Sequence, residues 1–144
     1  MNAKAEVFKK FLDDNNIKDF AIEEPEGNEL HAVIFRSTLD INGTQIPTIF
    51  ILDDSIYGMI RVFVAPNAQN SKDIDQLQQL LNEYNLTYKA FKFFTDNDGN
   101  VIMDTCFIIS DEKSVNGDLV YDIYRTIVDQ LKGSYPDIMK VIWG

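Results

Sequence analysis

The chain has 144 residues and a mass of 16.5 kDa, the length of one ordinary domain, and it reads as a single domain over residues 1–144. At 45% hydrophobic and 12% aromatic it can fill a core, which excludes intrinsic disorder and any need for a metal or a disulfide to fold. Thirteen Lys and Arg stand against twenty-three Asp and Glu, a formal charge of −10. A field of that sign repels phosphate backbones and excludes an uncompensated nucleic-acid role.

The first element is predicted over Ala3 to Asn15, where Val7, Phe8, Phe11 and Leu12 recur at helical spacing. A short strand is expected at Phe20 to Glu23, then a loop through Glu24-Pro25-Glu26-Gly27-Asn28. From His31 the period changes to two. His31 to Ile41 runs into Asn42-Gly43, the preferred centre of a type I′ hairpin because both positions need φ > 0, and Thr44 to Asp53 is the returning strand. A turn over Asp54–Gly58 leads to a third strand, Met59 to Ala65.

Asn70 or Ser71 is the expected cap of a helix from Lys72 to about Asn85, with Ile74, Leu77, Leu80, Leu81 and Tyr84 on one face. A second hairpin follows, Tyr88 to Thr95 and Val101 to Ile109, around Asp96-Asn97-Asp98-Gly99-Asn100. A three-residue loop with Gly99 in the left-handed region sets Lys92 opposite Asp104 and Phe93 opposite Met103, an opposite-charge pair that favours this register. A third helix is predicted from Gly117 to Lys132, stopped by Gly133, with Pro136 opening a short last helix. The order is α-β-β-β-β-α-β-β-α-α: an α+β domain, an antiparallel sheet with N-terminal, central and C-terminal helices.

No catalytic constellation assembles from these residues. Asp96-Asn97-Asp98-Gly99-Asn100 lacks the spacing of a calcium loop: counted from Asp96, Gly99 is fourth and the twelfth residue is Phe107, where a Glu is required. His31 is the only histidine and Cys106 the only cysteine, so His-rich metal sites and intrachain disulfides are excluded. A Cys106–His31 dyad is formally possible, but no oxyanion motif accompanies it, and a cysteine on an apolar strand reads as a small hydrophobe. Asp53-Asp54 and Glu23-Glu24 are adjacent carboxylates on extended chain, which point to opposite sides. No catalytic, cofactor or metal residue is therefore assigned, and a non-enzymatic role is expected. The polar start, the lone cysteine and the lack of a membrane-length apolar run make the cytoplasm the expected location, with no membrane partner.

The sheet carries apolar residues on both sides. Pairing about Asn42-Gly43 places Val33, Phe35, Leu39, Ile46, Phe50 and Leu52 on one side and Ala32, Ile34, Arg36, Ile49 and Ile51 on the other. Carrying the alternation through the next turn adds Met59, Arg61 and Phe63 to the first side and Ile60, Val62 and Val64 to the second. The second hairpin sets Phe91, Phe93, Val101, Met103 and Thr105 against Lys92, Phe94, Ile102, Asp104 and Cys106. The latter five, mixed apolar and charged, are the candidate partner-facing surface. Either helices cover both sides of the sheet or one side is a protein interface.

The second half carries a family likeness. Leu80-Leu81-Asn82-Glu83-Tyr84-Asn85 closes a helix before the aromatic strand Phe91-Lys92-Phe93-Phe94. An Asp98-Gly99 turn, the strand Val101 to Ile109, a long apolar helix and Tyr135-Pro136-Asp137-Ile138-Met139 follow. This order resembles the YbjN family of bacterial sensory transduction regulators, from about Asn70 to Trp143, and the first half by element order. The resemblance implies a fold like that of the type III secretion chaperones, small, acidic and usually dimeric, and no catalytic residue. The expected function is a protein-binding adaptor or chaperone-like homodimer. The alternative is a small-molecule sensor with an aromatic pocket between sheet and helices, suggested by the high aromatic content, including Phe91, Phe93, Phe94, Tyr84 and Tyr124.

Overall fold

The computed structural model describes every residue except 69 and 70. The elements run α1 (Ala3–Asp14), β1 (Ala21–Glu23), β2 (Val33–Ile41), β3 (Thr44–Leu52), β4 (Tyr57–Ala65), α2 (Ile74–Thr87), β5 (Lys92–Thr95), β6 (Val101–Ile108), a 3-10 turn (Glu112–Ser114) and α3 (Gly117–Trp143). The strands form one antiparallel sheet in the order β1-β2-β3-β4-β6-β5. The fold is α+β, as expected.

Both hairpins keep the predicted register. Val33 faces Leu52 and Ile41 faces Thr44 about Asn42 and Gly43, whose φ angles of 53° and 89° suit a type I′ turn. In the second hairpin Lys92 faces Asp104 and Phe93 faces Met103, with Gly99 at φ 79°. Asp96 orders that turn by accepting hydrogen bonds from the backbone of Asp98 and Asn100.

All three helices contribute to a core on one face of the sheet. Phe8 of α1 packs edge-on to Phe35, ring centroids 5.1 Å apart, and stacks on Phe50 at 5.8 Å. Leu77 and Leu81 of α2 and Val120, Ile127 and Leu131 of α3 complete the same buried cluster. The outer edge of β5 is closed by α2: the Asn85 amide donates to the Phe93 carbonyl at 2.9 Å and accepts from the Phe93 N–H at 2.6 Å, taking the place of a neighbouring strand.

Three expectations need correction. First, β4 sits in the opposite phase. Phe50 faces Ile60 and Leu52 faces Gly58, so Ile60, Val62 and Val64 point to the core, and Met59, Arg61 and Phe63 share the other face with Ile49 and Ile51. A slip of one residue in the assumed pairing reverses every side chain of a strand. Gly58 suits its new place, because a Cβ there would lie 2.8 Å from the Phe107 ring.

Second, the last two predicted helices are one, α3, which runs through Gly133 and Pro136. Gly and Pro inside a helix cost about 1 and 3 kcal/mol. Continuing the helix buries Ile138 and Ile142 behind Ile127, Leu131 and Ser134, and each isoleucine returns about 1.5–3 kcal/mol. Gly133 and Pro136 both face solvent, where water can satisfy the carbonyl that Pro136 leaves without a donor.

Third, α2 begins at Ile74 with Asp73 as its cap, the carboxylate accepting from the Gln76 N–H. Of the caps expected, Ser71 lies outside the helix and Asn70 lies outside the described residues. Strand β5 is also shorter than expected, beginning at Lys92.

Candidate functional site

With the helices gathered on one side, the opposite face of the sheet has no helix over it among the described residues. Side chains there stand in cross-strand rows. One row runs Ile34, Ile51, Met59, Cys106 from β2 to β6. The next runs Arg36, Ile49, Arg61, Asp104, Lys92. Phe63, Ile102 and Phe94 form a third, and Tyr57 with Ile108 a short fourth beside Cys106.

Two halves of this face differ in character. In the charged row the Arg61 guanidinium grips Asp104 with two hydrogen bonds, Nε to Oδ1 at 2.8 Å and Nη2 to Oδ2 at 2.9 Å. These hydrogen bonds push the basicity of Arg61 further up. The Arg61 guanidinium lies 5.8 Å and the Lys92 ammonium 5.1 Å from the centre of the Phe94 ring, one cation–π contact each. These side chains roof the sheet locally: Asp104 is 5% exposed and Ile102 only 1%, although no helix covers them. The other half is apolar and open. Ile34, Ile51 and Met59 are half-buried, while Cys106, Tyr57 and Ile108 are exposed, Ile108 to 72%.

Lys92, Phe94, Ile102, Asp104 and Cys106 therefore stand on one face. Lys92, Phe94 and Cys106 reach its surface, and Ile102 and Asp104 lie beneath their neighbours. Sequence reasoning missed Tyr57 and Ile108 and put Met59, Arg61 and Phe63 on the wrong side. The signal was available in one pair: the charge argument that set Lys92 against Asp104 also sets Arg61 against Asp104, once β4 is known to adjoin β6.

The strands of this face carry charge of both signs, and Asp96, just past the end of β5, also acts on Arg61. Arg36, Arg61 and Lys92 stand against Glu23, Asp40 and Asp104, so the charge of −10 resides elsewhere on the chain. Arg36 donates to Glu23 at 2.6 Å at the β1 side.

His31 and Cys106 are not brought together. Cys106 is on β6, with β4 and β3 between it and β2, a separation of about 14 Å at ordinary strand spacing. The His31 ring pairs instead with Asp54, Nδ1 to Oδ2 at 2.6 Å. Asp53 accepts from the backbone of Ser55 in the same turn, so the two adjacent aspartates serve different partners. Among the described residues no cluster of three His, Cys, Asp or Glu is placed to hold a metal ion.

The five aromatics of the sensor reading do not share a cavity. Tyr84 packs on Phe93 at 5.1 Å, Tyr124 on Phe50 at 5.6 Å, and Phe94 is on the far side of the sheet. The apolar void beneath α1, lined by Phe8, Phe50, Leu52 and Phe107 among others, has a volume of about 10 Å³, the space of one water molecule.

The architecture has a solved counterpart. A chain in the crystal structure of the ExsC–ExsE complex superposes with a TM-score of 0.59 at 10% identity, over 94% of this chain and 96% of that one. At that identity the likeness is one of fold, and it agrees with the type III secretion chaperone-like fold expected from the second half of the sequence. No protein-family model matches the chain, and no curated protein matches its sequence. No helix among the described residues is long and apolar enough to cross a membrane.

Proposed function

We propose that this chain is a YbjN-like, chaperone-like binding module of the cytoplasm, without catalytic activity, that pairs with a second copy through the open face of its sheet and holds a protein client. The observation that carries the reading is the helix-free apolar row Ile34–Ile51–Met59–Cys106, continued by exposed Tyr57 and Ile108. Six strands and four rows at ordinary spacings give a face of about 24 by 20 Å, the scale of a small two-fold interface. Its mixed charge, three basic against three acidic residues on the strands, favours a second copy there over the rest of a chain carrying −10. A chain of this fold was crystallised in a complex of two proteins, ExsC and ExsE, which supports a protein as the class of client.

The test is sedimentation: analytical ultracentrifugation of the full chain and of a Met59→Lys variant, each first checked for native circular dichroism. The reading expects a dimer that the variant loses while staying folded. A wild-type chain monomeric at hundreds of micromolar, with no polypeptide retained on gentle purification from its host, refutes it. Native mass spectra showing a bound species of a few hundred daltons would move the function to ligand sensing.

A further inference from the structure

Lys4 is the one charged residue other than Asp104 that the described fold buries, at 4% exposure, and no carboxylate lies within salt-bridge distance of it. Its ammonium is met by three backbone carbonyls instead: Ser55 at 2.7 Å, Tyr57 at 2.9 Å and Ile109 at 2.9 Å. An ammonium has three N–H donors, and here each has an acceptor. The carbonyls come from two segments far apart in sequence, the turn entering β4 and the end of β6, already joined by the Ile109 N–H on the Ile56 carbonyl at 2.8 Å. Burial lowers the Lys4 pKa from its ordinary value against the opposing pull of Asp53 and Asp54, as desolvation of a cation requires.

We infer that the Ser55, Tyr57 and Ile109 carbonyls form a cradle for a primary ammonium, occupied in cis by Lys4, and that this latch fixes the start of α1 to the sheet. Apolar packing holds the middle of the helix through Phe8 and Leu12, but Lys4 stands a full turn before Phe8. At that end only the small Ala5 joins the apolar core, and the other attachments are polar. Asn2 caps α1 by accepting from the Ala5 N–H, and its amide donates to the carbonyls of His31 and Leu52, both at 2.8 Å. The cradle matches a small cation in shape and sign: three carbonyl dipoles converge on it with no carboxylate in salt-bridge contact. Asp53, Asp54, Asp111 and Glu112 line an adjoining pocket of about 160 Å³ and add a favourable field. It also lies where β4 begins and β6 ends, so the latch braces the strands that carry Tyr57 and Ile108 on the open face. This inference is independent of what that face binds.

Two measurements on the full chain test it. In nitrogen-15 spectra of the wild type at neutral pH, the Lys4 ammonium should give a slowly exchanging proton signal, where exposed lysines give none; its absence overturns the inference. In Lys4→Ala, hydrogen exchange of the Ala5–Phe8 amides should quicken at least tenfold, and ammonium chloride should slow it again relative to tetramethylammonium chloride at equal ionic strength. Unchanged exchange in the variant, or equal action of the two salts, also overturns it. Should Lys4→Ala fail to fold, the wild-type signal decides alone.

Discussion

Removing either partner of the Arg61–Asp104 pair should have unequal consequences, because the two charges are buried unequally. The Asp104 side chain is 6% exposed and that of Arg61 33%. Breaking a fully buried pair costs about 3–5 kcal/mol, nearly all of it from the charge left behind, whereas exposed pairs are worth under about 1. Arg61→Met leaves the buried Asp104 carboxylate without its two-point partner, and about 3 kcal/mol of stability is the expected loss. Asp104→Asn keeps an oxygen for Arg61, and the guanidinium it loosens can turn to solvent or stay on Phe94, so the loss should be about 1 kcal/mol. For a chain of this length that is a fall in Tm of about 12 °C against about 4 °C. Urea unfolding followed by far-ultraviolet circular dichroism reads both, and Arg61→Met combined with Asp104→Leu should recover most of the first loss. If Asp104→Asn costs as much as Arg61→Met, or if the double variant is no more stable than Arg61→Met alone, the reasoning from unequal burial is wrong.

Two glycines of α3 should respond in opposite senses to alanine. At Gly133 nothing lies within 4 Å of an added Cβ, and the helix continues on both sides, so Gly133→Ala should gain about 1 kcal/mol. Were the helix to stop there in a left-handed residue, the same change would be destabilising. At Gly117 the Cβ would fall 2.2 Å from the Phe11 ring, and Gly117→Ala should cost about 2–3 kcal/mol in the same urea assay. Alkali should weaken the fold through two tyrosines. Burial pushes Tyr84 and Tyr121 up to about 12, and the Tyr84 hydroxyl has no partner to stabilise its anion. The folded chain thus keeps protons that the unfolded chain releases from pH 10, so this contribution is complete below pH 10 and is lost as pH rises toward 12. Tyr84→Phe should retain more of its stability between pH 9 and 11.5 than the wild type, and equal losses in urea melts across that range would contradict it.

Much of this fold is readable locally. The 3.6-residue spacing of Phe8, Phe11 and Leu12, the Asn42-Gly43 pair and the Lys92–Asp104 charge match each depend on residues within one element or one hairpin, and each survived in the folded chain. What failed was non-local. That Asp104 sits beneath Arg61 is invisible until β6 is known to insert between β4 and β5, out of chain order. Lys4 reads as a solvated helix residue until the ends of β4 and β6 close around it. Gly133 and Pro136 read as a helix stop until the burial of Ile138 and Ile142 outweighs their cost. The open face belongs to the same class. That both sides of the sheet are apolar is legible from the residues, because alternation is a property of a strand alone. Which side the helices cover was decided only by tertiary packing, because it depends on strand neighbours and on register, and one residue of slip exchanges the core for the surface.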